Sequence, residues 1–400
     1  MNEIATDAHP VPIAQGLQPT PFYDRLKPFD QHHHWGDWAG YRSARLFNTT
    51  ESEYFAIRNQ ATLFDVSPMC KYKIEGPDAL QVINRLIIRN VEKIRTGRVG
   101  YALWCDEEGM VIDDGTIFRL QDDKFFLLCQ EYMYSWLLDC AWGFDVSISD
   151  ESNALCGLAL QGPTSFSILK AAQFTGVETM KPFDVIEIEP GYWISRTGYT
   201  GDLGYEIWTR PENAITLWDR LWSAGQLWGL VPIGVHALEI ARLEAGFLGP
   251  SADFQPVHIV SRIGRGRTPF ELGFGKMVDF NKGHFNGRRA LLQHAKTGPR
   301  YSLTRLDIEG KYPGPNAFVY HGKRKKVGHI TSASWSPTTK RNIAFAELES
   351  PYGLTIRNDL WVEIDINKDG RWFRKNAKAT VIDGPFFQNK RARATPPGPY

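Results

Sequence analysis

The sequence has few cysteines, and their spacing suits neither a disulfide framework nor a zinc site. All five lie within the first 156 residues, and none forms a Cys-x-x-Cys pair. An odd number at such spacings argues against both kinds of site. The run His32-His33-His34 does not alter this, because adjacent histidines cannot all converge on one ion and no carboxylate or cysteine completes a known ligand spacing. We therefore predict no metal site.

Long apolar runs are missing as well. The longest, such as Phe125–Cys129, are far too short to span a bilayer. The N-terminal residues do not combine a basic start with an apolar segment, as a signal peptide would. A formal net charge of +1 gives no global attraction to nucleic acid or to an anionic membrane. These absences predict a cytoplasmic protein that binds neither nucleic acid nor membrane.

Common nucleotide-binding and hydrolase motifs are also absent. The chain has no Gly-x-Ser-x-Gly nucleophile elbow and no phosphate loop ending in Gly-Lys-Ser or Gly-Lys-Thr. Gly198, Gly201 and Gly204 recur at every third position, which differs from the dinucleotide-binding fingerprint. Glycines allow backbone torsions and close ligand approach that other residues resist. The spacing therefore indicates a specialised loop of another kind.

The chain does have many aromatic side chains, and its charges are distributed unevenly along the sequence. Phe, Trp and Tyr make up 13% of the residues, enough for a large core and for lining a site. Residues 321–400 contain 15 Lys/Arg and 7 Asp/Glu, a net charge of +8, so the first 320 residues carry 31 and 38, a net charge of −7. The basic run Lys323–Lys326 fits a solvated hairpin turn; the alternative is a steering patch for an anionic ligand or partner.

Hydrophobic periodicity predicts mixed helices and strands up to about residue 300 and short strands alone beyond it. A helix starting at residue 51 is expected to run into a strand at 63–66. Further helices are predicted at 77–86, 131–143, 163–172, 213–228 and 236–245. Further strands are predicted at 70–74, 101–105, 110–120, 124–129, 154–161, 185–188, 192–196 and 204–208.

Three segments carry polar residues that packing alone does not explain. Asp113 and Asp114 are adjacent in a strand, so only one of them can face a given cavity, and a strand-end aspartate with a solvated neighbour is the alternative. Glu206 follows the glycine loop inside an apolar strand, where a buried carboxylate needs a partner such as a planar ligand with two N–H donors. Arg242 and Glu244 could be a structural ion pair, although residues two apart on a helix do not face each other.

With five further segments, these three resemble the family of the glycine-cleavage T-protein, which are folate-dependent one-carbon transferases. Any one segment is a weak signal, but eight in register identify the family and cover nearly the whole chain. The segments are Thr20–Tyr23, Ala56–Ser67, Gly109–Asp114, Leu158–Pro163, Gly198–Glu206, Arg242–Gly246, Phe285–Arg288 and Gly328–Pro337.

The resemblance implies an α+β fold with three domains arranged as a cloverleaf around a central tetrahydrofolate channel. Residues 1–66 with 155–250 are expected to form the central α+β folate-binding domain. Residues 67–154 with 251–298 are expected to form a second α+β domain. Residues 299–400 are expected to form a small all-β barrel or jelly roll.

The resemblance also implies where the cofactor binds. Asp113 is expected to be the catalytic residue, beside the folate N5/N10 region, and Glu206 to hold the pterin. Tyr101 is expected to line the folate site, with Tyr205 and Arg242 among the cofactor-binding residues.

Aromatic residues near the family's site are candidates for binding the one-carbon donor. Trp35, Trp38 and Trp104 could hold a methylated cation by cation–π contact or stack on an aryl ether. Core packing is the alternative role for each of them.

Two departures from the T-protein pattern bear on the substrate. A characteristic arginine is replaced by Leu238, and Pro68 stands where the pattern has histidine. These changes argue against the aminomethyl-lipoyl substrate and for the family's demethylases. We therefore expect a demethylase that moves a methyl group from a small S-, N- or O-methylated donor to tetrahydrofolate, without a lipoylated carrier protein as partner.

Two alternatives remain. One is the glycine-cleavage T-protein aminomethyltransferase itself, with its lipoylated carrier. The other is a non-catalytic folate-binding factor for iron–sulfur assembly, but such factors carry a cysteine where this chain has His284.

Overall fold

The computed structural model describes residues 16–395 and 397, except residues 261, 313 and 323. Residues 1–15, assigned above to the first domain, and Lys323 of the basic turn lie outside the described residues. Within the described part of the chain, no helix combines the length and apolar character needed to cross a membrane.

The strands follow one another along the chain as β1 (Trp35–Trp38), β2 (Tyr41–Ala44), β3 (Thr62–Asp65), β4 (Cys70–Glu75), β5 (Arg98–Cys105), β6 (Val111–Arg119), β7 (Lys124–Cys129), β8 (Ser147–Asp150), β9 (Cys156–Gln161), β10 (Val185–Glu189), β11 (Tyr192–Ser195), β12 (Gly204–Thr209), β13 (Val231–Pro232), β14 (Tyr301–Ile308), β15 (Phe318–His321), β16 (Lys325–Ser336), β17 (Arg341–Glu349), β18 (Arg357–Lys368) and β19 (Arg371–Ile382). The α-helices are α1 (Tyr23–Leu26), α2 (Thr50–Asn59), α3 (Ala79–Leu86), α4 (Tyr134–Cys140), α5 (Ser165–Ala171), α6 (Ala214–Gly225), α7 (Val235–Ala245) and α8 (Arg288–Thr297).

Two sheets form the first three quarters of the chain. The central sheet has the strand order β10-β11-β12-β9-β3-β13, and the second sheet has the order β5-β6-β7-β4-β8. All pairings are antiparallel except that of β13 with β3, which is parallel. A short hairpin of β1 and β2 stands beside them. These sheets, with their helices, form the two expected α+β domains; the exact domain boundaries stay a prediction.

The C-terminal region is a closed barrel with the strand order β14-β17-β16-β15-β18-β19. Alternate residues along each strand point inward, and the interior is filled by small and branched apolar side chains such as Val319, Ile330, Ala346 and Val362. The all-β C-terminal domain predicted from the sequence is thus a barrel and not a jelly roll.

Apolar layers join the two sheets to each other and to the barrel. One layer packs Phe64 and Trp208 of the central sheet against Phe118 and Leu128 of the second sheet. Another packs Leu103 of the second sheet and Leu243 of α7 near Phe345 of the barrel. The three domains therefore share buried apolar surface, which is the main stabilising term in such contacts.

Helix α7 lies at the centre of this arrangement, and local interactions set both of its ends. The buried carboxylate of Glu53 on α2 accepts a hydrogen bond from the N–H of Gly234, the residue before α7, at 2.7 Å. The helix ends at Ala245 because Gly246 adopts a left-handed conformation with φ of 78°, which suits glycine.

Glu244 on α7 is fully buried and collects hydrogen bonds from two other parts of the fold. Arg58 of α2 donates to Oε2 at 2.6 Å, and Tyr54 of the same helix donates to Oε1 at 2.6 Å. Ser336 at the end of barrel strand β16 donates to Oε1 at 2.5 Å. Arg58 also donates to the carbonyl of Thr200 at 2.8 Å in the glycine loop. This network fixes α2, the loop and the barrel to α7.

We predict that Arg58→Ala lowers the free energy of unfolding by about 3–5 kcal/mol, because it leaves the buried Glu244 carboxylate without its cation. Urea unfolding followed by tryptophan fluorescence measures the loss. Arg25→Ala is the matched control, since the Arg25–Asp219 pair has side chains 41% and 50% exposed and should matter little. Equal effects of the two substitutions would contradict this account of the network.

Candidate functional site

Strand β6 presents its two aspartates to opposite faces of the second sheet. Asp113 is paired with Trp104 of β5, and Asp114 with Leu103. Trp104 belongs to the second domain's own core, whereas Leu103 packs in the layer shared with α7 and the barrel. The carboxylate that faces the other domains is therefore that of Asp114.

Asp113 is fully buried, and the backbone holds both of its carboxylate oxygens. Oδ1 accepts a hydrogen bond from the N–H of Asp114 at 2.8 Å, and Oδ2 accepts one from the N–H of Glu131 at 2.9 Å. Burial raises the pKa of Asp113 well above its ordinary value, and the neighbouring Asp114 charge raises it further. Successive strand residues point to opposite faces, so Asp113 lies on the face of the second sheet that packs on its own domain's core. This position conflicts with the expectation that Asp113 is the catalytic aspartate facing the folate.

Asp114 meets Tyr101 on the face that looks toward the central domain. The Tyr101 hydroxyl donates to Asp114 Oδ2 at 2.5 Å across β5 and β6. Burial raises the pKa of Asp114 to about 6, and the Tyr101 hydrogen bond offsets part of that rise. Burial and the Asp114 charge together raise the pKa of Tyr101 well above its ordinary value. The pair is therefore a neutral phenol beside a carboxyl that titrates near physiological pH.

Tyr199, in the Gly-Tyr-Thr-Gly segment, brings the central domain to this pair. Burial raises the pKa values of Tyr101 and Tyr199 well above their ordinary values, and the charge of the nearby Asp114 carboxylate raises both further. The Tyr199 ring stacks on Phe247 with centroids 5.8 Å apart, while Tyr101 contacts the ring of Phe274 at 5.6 Å. Sequence reasoning missed Asp114, Tyr199 and Phe247 as site residues, although the motif containing Tyr199 was recognised.

Glu206 lies on β12 beside two hydroxyl side chains of β11 and the loop after it. Thr197 Oγ1 donates to Glu206 Oε2 at 2.7 Å, and Ser195 Oγ lies 2.6 Å from Thr197 Oγ1. Burial raises the pKa of Glu206, while the Thr197 and Ser195 hydroxyls lower it. This is a carboxylate in a largely apolar wall, suited to a ligand that offers N–H donors.

Tyr205 lies next to Glu206 in β12 and therefore points to the opposite face of the central sheet. It is fully buried in that domain's core, and its hydroxyl has no hydrogen-bond partner among the described residues. Burial raises the pKa of Tyr205 to about 12. The prediction that Tyr205 binds the cofactor conflicts with this core position.

The donor groups of Arg242 are used within the protein. Its guanidinium donates to Glu239 at 2.7 and 3.0 Å and to Ser332 of barrel strand β16 at 2.8 Å, and it also forms an ion pair with Asp253. Its side chain is 1% exposed. Arg242 therefore links α7 to the barrel and to the loop after α7. This geometry does not support the predicted contact of Arg242 with a cofactor.

The three candidate tryptophans lie in different places. Trp104 is fully buried in the second domain's core and donates its Nε1–H to the sulfur of Met133 at 2.9 Å. This position fits the alternative role of Trp104 in core packing and not its predicted role in substrate binding. Trp35 is half-buried and donates to Asp30 at 2.5 Å. Trp38 is half-buried and stacks on Phe64 with centroids 6.0 Å apart, at the margin of the layer between the two sheets.

The glycine loop is shaped by its contact with Gln161. A Cβ at Gly198 would lie 1.9 Å from the side-chain oxygen of Gln161, and one at Gly204 would lie 2.3 Å from the same group. Gly201 has a positive φ of 69°, and a Cβ there would lie 2.5 Å from that of Ala245 on α7. The glycines thus let the loop close on Gln161 and α7.

Comparison with known proteins gives a consistent result over most of the chain. The family described as the GCVT N-terminal domain matches residues 22–282, and the glycine cleavage T-protein C-terminal barrel domain matches residues 303–388. An aminomethyltransferase of Caldanaerobacter subterraneus subsp. tengcongensis is 32% identical over 360 residues, which is 88% of this chain and 91% of the relative. One of Alkaliphilus metalliredigens is 33% identical over 362 residues, 88% of this chain and 93% of the relative. The chain belongs to the glycine-cleavage T-protein family.

A solved structure shows the same fold. The crystal structure of glycine cleavage system aminomethyltransferase T from Bartonella henselae superimposes with a TM-score of 0.81 at 23% identity, covering 93% of this chain and 99% of that protein. The predicted T-protein fold and enzyme class, a tetrahydrofolate-dependent one-carbon transferase, are thereby confirmed.

The comparisons also correct one expectation. The relatives named above carry the name aminomethyltransferase, which is the alternative with a lipoylated carrier and not the expected demethylase. The prediction that a lipoylated carrier protein is not a partner, drawn from Leu238 and Pro68, was wrong.

We predict that Asp114→Asn changes how stability depends on pH. The folded-state pKa of about 6 lies above the ordinary value of 3.8, so ionising Asp114 costs stability as the pH rises between these values. The Asn variant should therefore gain stability relative to the wild type from about pH 4 to about pH 6, and the difference should then stay level.

Thermal unfolding from pH 3.5 to 8 measures this difference. Asp122→Asn, at a side chain that is 89% exposed, is the control for the substitution itself. A difference between Asp114→Asn and the wild type that does not change with pH would contradict the raised pKa.

Proposed function

We propose that this protein is a tetrahydrofolate-dependent aminomethyltransferase that takes its one-carbon unit from a lipoylated carrier protein. The observation that carries the proposal is the match to aminomethyltransferases at 32–33% identity over about nine tenths of both chains. The arrangement of Asp114, Tyr101 and Glu206 around the junction of the domains supports it.

The residues present suit a reduced folate. Glu206 is a carboxylate whose pKa burial raises, and a pterin offers the adjacent N–H donors that such a group needs. The glycine loop beside Glu206 lets backbone and ligand approach closely. Tyr101 and Asp114 supply a polar patch on the facing sheet. Glu206 would thus hold the pterin, with Asp114 and Tyr101 near the reacting nitrogens.

The chemistry divides between ligand and protein. Tetrahydrofolate, when bound, supplies the amine nitrogens that receive the one-carbon unit. Asp114, with a pKa of about 6, can hold a proton or accept one at the same atom near neutral pH, as a general acid or base must. Tyr101 keeps that carboxyl in one orientation through its 2.5 Å hydrogen bond. Burial of both groups strengthens any charge stabilisation they provide.

Leu238 and Pro68 are the residues that pointed to a demethylase. Leu238 is partly buried and packs against the layer between the two sheets, and Pro68 lies in the buried turn before β4. Both positions are explained by packing. The demethylase is therefore kept only as an outcome of the experiment.

We predict that the purified protein, incubated with tetrahydrofolate and an aminomethyl-loaded lipoylated carrier, forms 5,10-methylene-tetrahydrofolate and releases ammonia. Asp114→Asn should lower kcat about 100-fold or more, because it removes the titrating group. Asp113→Asn should retain most of the turnover of the folded enzyme, since its carboxylate faces the other side of the sheet.

Three results would count against the proposal. These are no product with the carrier, methyl-tetrahydrofolate formed from a small methylated donor instead, or a larger kcat loss in Asp113→Asn than in Asp114→Asn.

We also predict that Glu206→Gln weakens tetrahydrofolate binding by roughly tenfold or more, because charge-assisted hydrogen bonds to the pterin are lost. Isothermal titration with tetrahydrofolate measures the Kd. Tyr205→Phe is the matched control, since its hydroxyl has no hydrogen-bond partner among the described residues and lies on the opposite face of β12. Unchanged binding in Glu206→Gln, or an equal loss in Tyr205→Phe, would refute the assignment of Glu206.

A further inference from the structure

A two-stranded arm extends from the barrel. Strand β18 pairs with β15 only through residues 360–362, and β19 pairs with β14 only through residues 379–382. Between these points, residues 363–376 pair with one another as an antiparallel hairpin. We call residues 363–376 the arm. Its strands have no other strand beside them in the described part of the chain.

The two faces of the arm differ in charge. On the first face, Arg374 forms ion pairs with Glu363 at 2.8 Å and Asp365 at 3.0 Å, so its one positive charge is outnumbered by two negative charges, and Trp372 lies on the same face. The second face carries Ile366 opposite Phe373, together with Lys368 opposite Arg371.

The second face combines exposed apolar surface with uncompensated positive charge. Its apolar row continues the barrel interior, from Ile364 at 3% exposure through half-buried Ile366 to Phe373 at 52%. Exposed Lys368, Arg371 and Lys375 surround that row, and alternation places no acidic side chain of the arm on this face. A surface of this kind suits an acidic, partly apolar partner.

The same chain carries a surface of the opposite character. Residues 125–169 contain five Asp/Glu and no Lys or Arg. On α4 and directly before and after it, this segment exposes Trp142 at 88%, Tyr132 at 60% and Leu138 at 44%, together with the exposed Asp139 and Asp145. We call this surface the α4 patch. Arg85 approaches its margin, stacked 5.6 Å over the ring of Phe144.

We infer that the arm of one molecule docks on the α4 patch of a second copy of this chain. The charge distribution supports this occupant: residues 321–400 carry a net charge of +8 and the first 320 residues a net charge of −7, so that the barrel of one copy complements the rest of another. A two-fold axis would form the contact twice, arm to patch in both directions, and so double the buried surface.

Sedimentation velocity on the full chain tests the inference. The wild type is expected to sediment as a dimer at low ionic strength and to shift toward monomer in high salt, because the contact pairs opposite charges. Arg371→Glu and Phe373→Ser should each give monomers. Trp372→Ser is the matched control, since Trp372 is 71% exposed but lies on the first face of the arm, where Arg374 is paired with Glu363 and Asp365, and this variant should stay dimeric.

A charge exchange makes the test specific to this pair of surfaces. Asp139→Arg alone should give a monomer, and combining it with Arg371→Glu should restore the dimer. Circular dichroism of each variant controls for folding. A monomeric wild type at tens of micromolar protein, a dimer unaffected by Arg371→Glu and Phe373→Ser, or a double variant that stays monomeric would overturn the inference.

Discussion

Two buried charges on one helix hold the barrel to the central domain. Arg242 and Glu244 of α7 are 1% and 0% exposed, and each forms hydrogen bonds with barrel strand β16, through Ser332 and Ser336. Each also binds a second element, since Arg242 pairs with Asp253 and Glu244 with α2. An unpaired charge at such depth costs several kcal/mol, so the domains cannot separate without a large penalty.

The position of α7 determines where the glycine loop lies relative to the second sheet. With α7 fixed, the glycine loop closes on Ala245 and carries Tyr199 toward the second sheet. The second sheet presents Tyr101 and Asp114, and the central sheet presents Glu206 beside the Thr197 hydroxyl. The hydrogen bonds around α7 therefore position the loop that carries Tyr199, whereas the pairing of β5 with β6 positions Tyr101 and Asp114. The sequence suggested that Arg242 and Glu244 could pair with each other. In the structure each forms hydrogen bonds with other residues instead.

The sequence was sufficient for the fold and for the family, but it did not decide which aspartate lies on the face of the second sheet turned toward the other domains. Strand alternation implied that only one of Asp113 and Asp114 could do so. A bulge at Ile112 gives Asp114 that face, because Trp104 pairs with Asp113 while Cys105 pairs with Val111. No local sequence pattern predicts that extra residue. Strand alternation could have excluded Tyr205 from the cofactor-binding residues once Glu206 was assigned to them. The burial of Trp104, in contrast, depends on tertiary packing that a single sequence does not reveal.

The central claim is that Asp114 and Glu206 face one folate site while Asp113 and Tyr205 do not. A crystal structure of the protein with tetrahydrofolate tests it most directly. The account predicts pterin N–H groups within hydrogen-bond distance of the Glu206 carboxylate, and the folate N5 and N10 on the side of the second sheet that carries Tyr101 and Asp114. Density for the folate on the Asp113 face, or away from the junction of the three domains, would contradict it.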